Sequence, residues 1–325
     1  MRLFTKTNIP FVKIRYYAYA FSLLILLPGI YGMIFNGMNW SIDFTSGVAL
    51  EVNLKPANPA TPIVHIDKLR TILKDNGFKD AEIQIVGAPK DAHFLIKTQG
   101  STTAGTGQKI VKILAQNLPE IAKSVDNKDM IVQIDEVGPK VGAELRSQAL
   151  LAVLLSMFLM IIYVWVRFEL TFGISAILAI FHDVFVIVGI FALTGKEMTI
   201  QVIAALLTIV GYSINDTIVI YDRIREDLRI YRKDPYEVVF NNAMNKTLSR
   251  TTITAGTTLI AALAIYFFGG PVIHDFAFAM VLGLMFGTYS SIFVASNLVI
   301  DYYRITKQDK ASLQTLAAKD MKKKR

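Results

Sequence analysis

Leu206–Glu226 reads LLTIVGYSINDTIVIYDRIRE, an apolar segment of membrane length with an Asn-Asp pair, Asn215 and Asp216, in its interior. About 20 apolar residues suffice for a helix to cross a hydrocarbon core. A carboxylate at the centre of such a helix costs roughly 2.5–3.5 kcal/mol on insertion scales, which makes Asp216 a functional candidate rather than a stabilising residue. Thr208, Tyr212 and Asn215 recur at three- and four-residue spacing and predict a polar face around it. The plainer alternative is an acid near a membrane surface that reaches headgroup water.

Composition points the same way. Of 325 residues, 53% are hydrophobic and 18% charged, against about 25% charged in soluble domains. Six runs reach spanning length, roughly Tyr16–Phe35, Ala149–Val166, Thr171–Leu193, Ile200–Tyr221, Ile253–Phe268 and Phe276–Ile300. The first follows Arg2, Lys6, Lys13 and Arg15. Its apolar run exceeds the about 7–15 residues of a signal peptide and no A-x-A site follows, so it reads as an uncleaved anchor.

Loop charges set the expected orientation. Residues 1–15 fall on one side with Arg167, with Arg223, Arg225, Arg229, Arg232 and Lys233, and with the basic tail 306–325. The opposite short loops carry a single lysine, Lys196. The positive-inside rule then places both termini in the cytoplasm of a multi-pass protein. Tyr16, Tyr17, Tyr163, Trp165, Tyr302 and Tyr303 mark span ends, as an aromatic belt does.

Several function classes recede. Without cysteine there is no disulfide, thiolate metal site or cysteine nucleophile. His65, His93, His182 and His274 lack zinc spacing. The net charge of +8 is what a membrane protein collects on its cytoplasmic side, so no nucleic-acid partner is expected. His182-Asp183 in the third span is a lone pair without further ligands and reads as a polar patch inside the bundle, not a metal site. Asp183 and Asp216 are the only deep acids, and no nucleophile-base pattern accompanies them. No enzyme and no cofactor is predicted.

Residues 36–144 form the large insertion after the first span at 16–35. Val48, Leu50, Val52 and Leu54 alternate at the strand period, and Ile66, Leu69, Ile72 and Leu73 follow at helical spacing up to Gly77. Ile83–Val86 and Phe94–Lys97 read as strands around the turn 87–91, and Ile110, Ile113 and Leu114 mark a second helix after the small-residue loop 101–107. Met130–Val137 closes a β-α-β-β-α-β order, that of an α+β ferredoxin-like domain. The five remaining spans occupy 145–305. Between the fourth and fifth, Asp234-Pro235-Tyr236-Glu237 predicts a capping box opening a short amphipathic helix near 235–248 on the membrane surface. Its stripe leaves two readings open, an interfacial linker or a partner contact. Gly283, Gly287, Ser291 and Ala295 give the sixth span a small-residue face whose neighbour spacing does not identify.

These motifs together resemble the SecF family of bacterial protein-export subunits, members of the RND superfamily. Ser41-Ile42-Asp43-Phe44-Thr45-Ser46-Gly47 is similar to the family's IDFTGG element, with Ser46 where glycine is usual. Val137-Gly138-Pro139, Val141-Gly142 and Glu144-Leu145 resemble its VGPxVGxEL element. Gly211-Tyr212-Ser213-Ile214-Asn215-Asp216-Thr217, Asp222-Arg223 and the Ser249-Arg250-Thr251 start of the fifth span resemble the family throughout. The resemblance implies an α-helical polytopic protein of the bacterial inner membrane, a six-helix RND-type half with an inserted extracytoplasmic domain. It implies SecD as heterodimer partner, contact with the Sec channel and its auxiliary subunits, and proton-driven movement of unfolded secretory polypeptide. Asp216 and Arg250, with Asn215 beside them, match positions linked to proton conduction. Arg250 at the membrane edge alternatively snorkels to lipid phosphates. The competing class is an RND-type half-subunit that exports a small molecule or lipid.

Overall fold

In hydrocarbon a chain satisfies its backbone N–H and C=O groups only within itself, and the six apolar runs accordingly lie in helices. The structure, a computed structural model, describes residues 7–56, 63–79, 81–87, 91–99, 105–122, 130–168 and 170–306. Arg2, Lys6, the tail 307–325, the centre of the turn 87–91 and the first part of the loop 101–107 lie outside the described residues.

In chain order the elements are α1 (Arg15–Phe35), α2 (Ile42–Thr45), β1 (Gly47–Asn53), α3 (Ile66–Asp75), β2 (Glu82–Val86), β3 (His93–Gln99), α4 (Thr106–Asn117), α5 (Pro119–Ala122) and β4 (Ile131–Val137). The bundle continues with α6 (Pro139–Arg167), α7 (Leu170–Thr194), α8 (Ile200–Ile230), α9 (Tyr236–Phe268), α10 (Pro271–Ser290) and α11 (Ser296–Ile305). One π-helical turn, Ser291–Ala295, joins α10 to α11 in a single last span.

The insertion is the expected ferredoxin-like unit. Its antiparallel sheet runs β2-β3-β1-β4, the strand order of a split βαβ pair. Val48, Leu50, Val52 and Leu54 are fully buried beneath Leu69 and Leu73 of α3 and Ile110 and Leu114 of α4. Ile131 and Ile134 sit three apart because the β1–β4 register shifts between Glu51 and Val52, a bulge that lets both pack on the same core.

The small-residue stripe packs within this chain. A Cβ on Gly283 would lie 2.3 Å from Ile209, and one on Gly287 3.3 Å from Ser213. Ser291 donates to the Ser213 carbonyl at 3.1 Å, and Tyr221 donates to the Ala295 carbonyl at 3.2 Å. The last span thus follows α8 turn by turn. A second close approach, which no spacing announced, joins α1 to α7: a Cβ on Gly189 would lie 2.6 Å from the Gly29 Cα.

The surface helix expected near 235–248 is instead the start of one continuous helix, α9. Val239, Phe240, Ala243 and Met244 are buried in the bundle core beside Tyr221 and Tyr303, so the stripe serves packing rather than a membrane surface. The capping box does not form either, because Pro235 occupies the cap and no side chain bonds there.

A joint ties the α+β domain to the loop between α7 and α8. Met198 donates to the Asn39 carbonyl at 2.7 Å and Ser41 to the Met198 carbonyl at 3.1 Å, a strand-like bridge. Lys97 of β3 pairs with Glu197 of that loop, their side chains 18% and 8% exposed. Burial, followed by the charge of Glu197 and a hydrogen bond to it, raises the Glu82 carboxyl above its ordinary value of 4.5, and Lys97 only partly opposes this. The two family motifs of the domain meet at the same end. A Cβ on Gly142 would lie 3.1 Å from the Ser46 nitrogen, and one on Gly47 2.2 Å from the Thr98 carbonyl.

Two outcomes follow from this geometry. Ser46 sits at φ 70°, ψ 150°, a region almost confined to glycine and costing about 1–3 kcal/mol. Ser46→Gly is therefore expected to raise stability by about 1 kcal/mol or more in thermal unfolding of the purified protein; an unchanged or lowered midpoint contradicts the strain. Because docking raises the Glu82 value, the docked joint binds more protons, so its stability is full below about pH 4.5 and declines as pH rises through the raised value. Amide exchange at Met198 and Ser41 is expected to quicken across that window in the natural protein and to be flat in Glu82→Gln.

Candidate functional site

Both ends and three faces of α8 are fixed. At its first turn the Thr199 hydroxyl accepts from the Val202 N–H at 3.2 Å, and the Asp43 carboxylate accepts from the Ile200 N–H at 3.1 Å. An anion at a helix N-terminus also complements the helix dipole. Asp43 is itself held by the Ser41 hydroxyl at 2.9 Å, so the motif Ser41–Gly47 caps the helix that carries Asp216. Phe44 packs edge-on against Trp40, and Thr45 donates to the Ser41 carbonyl at 3.0 Å.

At the other end the charges pair off. Arg167 bonds both oxygens of Asp222 at 3.0 Å. Arg223 reaches Glu226 at 2.9 Å and the fully buried Asp227 at 3.0 Å, and Lys246 of α9 completes that cluster at 2.7 Å. Asp222 and Arg223 are therefore structural clamps. Gly138 and Pro139 open α6 at its cap and first position, and Glu144 makes an exposed contact with Gln148 on the same helix.

In the middle of α8 the Tyr212 hydroxyl contacts Thr254 and Thr258 of α9 at 3.0 and 2.5 Å. Ser213 donates to Asp183 of α7 at 2.6 Å, and Thr217 to Ser291 of the last span at 2.9 Å. Asp216 lies among these, 3% exposed. Among the described residues it has no hydrogen bond and no ion pair within 4 Å; Arg250 of α9 is its electrostatic neighbour. Arg250 is exposed from this chain alone.

Asn215 does not join them. With Ala204 and Thr208 it lies exposed on a stripe of α8 that includes Gly211, where a Cβ would meet open space. The polar residues predicted on one face are thus divided, Tyr212 inward to α9 and Thr208 and Asn215 outward. His182 and Asp183 are both buried and bonded to each other at 3.0 Å, and Asp183 is the hub of a hydroxyl network. Sequence reading named Ser213 only as a motif residue and missed Ser290, because the two become partners of Asp183 only through the fold. Among the described residues no cluster of three metal-ligating side chains exists.

A cleft of about 580 Å³ opens where the α+β domain meets the bundle, lined by Asn39, Glu82, Gln84, Lys196, His274 and Asp275 among others. It does not include Asp216. The arrangement offers one unbonded carboxylate in a helix whose first turn is held by the domain. Among the described residues that carboxylate, Asp216, is buried and Arg250 is its nearest charge.

Comparison with known proteins agrees with this architecture. The family model described as protein export membrane protein SecD/SecF, C-terminal, matches residues 117–305, and the SecD/SecF GG motif matches residues 31–57. The protein translocase subunit SecF of Desulfurispirillum indicum is 39% identical over 300 residues, 91% of this chain and 92% of its own length. That of Thermodesulfovibrio yellowstonii is 40% identical over 305 residues, 92% and 96%. The crystal structure of SecDF, a translocon-associated membrane protein from Thermus thermophilus, superposes with a TM-score of 0.78 at 38% identity, covering 92% of this chain and 39% of that longer one. The chain belongs to the SecD/SecF family of protein-export membrane proteins.

Proposed function

We propose that this chain is the SecF-type subunit of a protein-export complex, which works with a SecD partner to use the proton-motive force for late translocation of secreted polypeptide. The observation that carries the reading is Asp216, 97% buried in a membrane-length helix and without a bonded partner among the described residues. Each charge crossing the membrane gains about 2.3 kcal/mol per 100 mV, enough to bias a two-state equilibrium roughly fiftyfold. The carboxylate binds and releases the proton, and Arg250 acts as a nearby charge without a bonded pair. No covalent chemistry is involved.

The same reading accounts for the uncovered stripe. Thr208, Asn215 and Arg250 are polar groups exposed from this chain at the bundle surface, and a second six-helix half covers them. The α+β domain, tied to α8 through Asp43 and Lys97, then moves with that helix and holds or releases emerging polypeptide. Relatives named translocase subunits support this over a small-molecule or lipid exporter. In this reading both termini lie in the cytoplasm of the inner membrane and the domain lies outside, an orientation that the basic cluster from Arg223 to Lys233 supports.

Orientation is read by labelling, since the natural chain has no thiol. An impermeant maleimide is expected to reach Lys74→Cys from outside and Lys233→Cys only after the membrane is opened; the reverse pattern overturns the orientation. The mechanism is tested in vesicles holding the complex, by proton flux and by completion of secreted proteins. Asp216→Asn is expected to abolish both while partner recovery is unchanged. Arg250→Lys keeps the charge and is expected to retain flux within about threefold, whereas Arg250→Gln loses it. Wild-type rates in Asp216→Asn overturn the proposal.

A further inference from the structure

We propose that His182 and Asp183 form a second proton-binding site of the bundle, distinct from Asp216, whose charge state sets the packing of α7, α8 and the last span. The inference rests on the proton-driven reading above. Asp183 is 1% exposed and accepts from three elements: the His182 ring Nδ1 at 3.0 Å, Ser213 of α8 at 2.6 Å and Ser290 of α10 at 2.8 Å. Its place is built by backbone. A Cβ on Gly287 would lie 3.6 Å from the Asp183 carboxylate, and the π turn begins directly after Ser290. Such turns recur at functional sites because they shift the register of a helix around one residue.

The second observation is on the histidine. His182 is 8% exposed, and its Nε2 is buried without a hydrogen-bond partner among the described residues. An imidazole whose Nδ1 faces a carboxylate has one further position for a proton, and here that position is Nε2. With the proton the dyad is imidazolium and carboxylate, neutral overall; without it the net charge is −1, held by three donors. The proton arrives on Nε2 and leaves from it, with no other bond made or broken.

The groups facing the dyad are few. The last span presents the Tyr289 ring, its centroid 6.2 Å from that of His182, and the Tyr289 hydroxyl is engaged by Ala18 and Ser22 of α1. From α8 come Ser213 and, one turn further, Asp216 with Arg250 beyond it. Residues three apart on a helix are neighbours, so a charge on the dyad acts on the helix position next to Asp216. Two carboxylates therefore bear on α8: Asp183 of α7, bonded at three points, and Asp216 of α8 itself, bonded at none among the described residues.

The test uses the complex with its partner half. With His65, His93 and His274 replaced by Gln, one imidazole remains in this chain, and with this chain alone isotope-labelled its ring nitrogens are followed by solid-state NMR from about pH 5 to 8. The expected result is that the ring shows both neutral and imidazolium signatures across this range and that Asp183→Asn changes their proportion. A ring that keeps one neutral tautomer throughout overturns the proposal, and this readout needs no change at the dyad itself. In vesicles, His182→Gln is expected to recover the partner normally and to lose about a hundredfold of proton flux. Wild-type flux in His182→Gln beside an inactive Asp216→Asn overturns the dyad and leaves the Asp216 reading standing. Wild-type flux in both overturns the parent reading and this inference with it.

Discussion

The close approach of the last span to α8 is the constraint on which the bundle depends. Gly283, Gly287, Ser291 and Ala295 face Ile209, Ser213, Thr217 and Tyr221, one small residue to each turn. Hydrocarbon offers no hydrophobic drive to hold two helices together, so association rests on such contact and on hydrogen bonds across it. Backbone proximity brings Ser290 and Ser213 to the same carboxylate oxygen of Asp183. A larger residue at Gly287 would separate those helices and leave Asp183 buried without its donors, a change costing about 1–3 kcal/mol for overpacking alone.

The inner faces of α8 are committed to α7, α9 and the last span. Its first turn is capped by Asp43 and flanked by the Lys97–Glu197 pair, both of which belong to the joint with the α+β domain. Lys97 and Glu197, 18% and 8% exposed, thus link the α+β domain to the loop from which α8 starts. The GG-motif segment thus has a mechanical reason for its residue types. Ser41 starts the short turn, Asp43 reaches the helix, and Gly47 admits the Thr98 carbonyl where no side chain would fit.

Much of this was legible in the sequence. Hydropathy located the spans, because length and apolarity are what a membrane demands. Strand alternation at Val48–Leu54 and helical spacing at Ile66–Leu73 revealed the ferredoxin-like order, because each faces a single core. The surface helix near 235–248 was misread because an apolar stripe looks alike whether lipid or protein covers it; Phe240 and Met244 turned out to face Tyr221 and Tyr303. The capping box failed because Pro235 took the cap position itself.

Other features had no local signal. Lys97 and Glu197 are 100 residues apart, and Gly29 meets Gly189 only when α1 crosses α7. Asn215 was grouped with Asp216 on spacing, yet adjacent residues on a helix point about 100° apart, and this one faces away from the bundle. Position in sequence found the carboxylate; only the fold separated its bonded neighbours from its exposed ones.

On the function proposed above, the charge at Asp216 moves the α+β domain. Spin labels at Thr71→Cys on α3 and Val272→Cys on α10 report that distance directly, in a chain with no other thiol. In the assembled complex, the distance distribution is expected to differ between Asp216 and Asp216→Asn, and Glu197→Gln, which weakens the joint, is expected to remove the difference. Identical distributions in all three would contradict it.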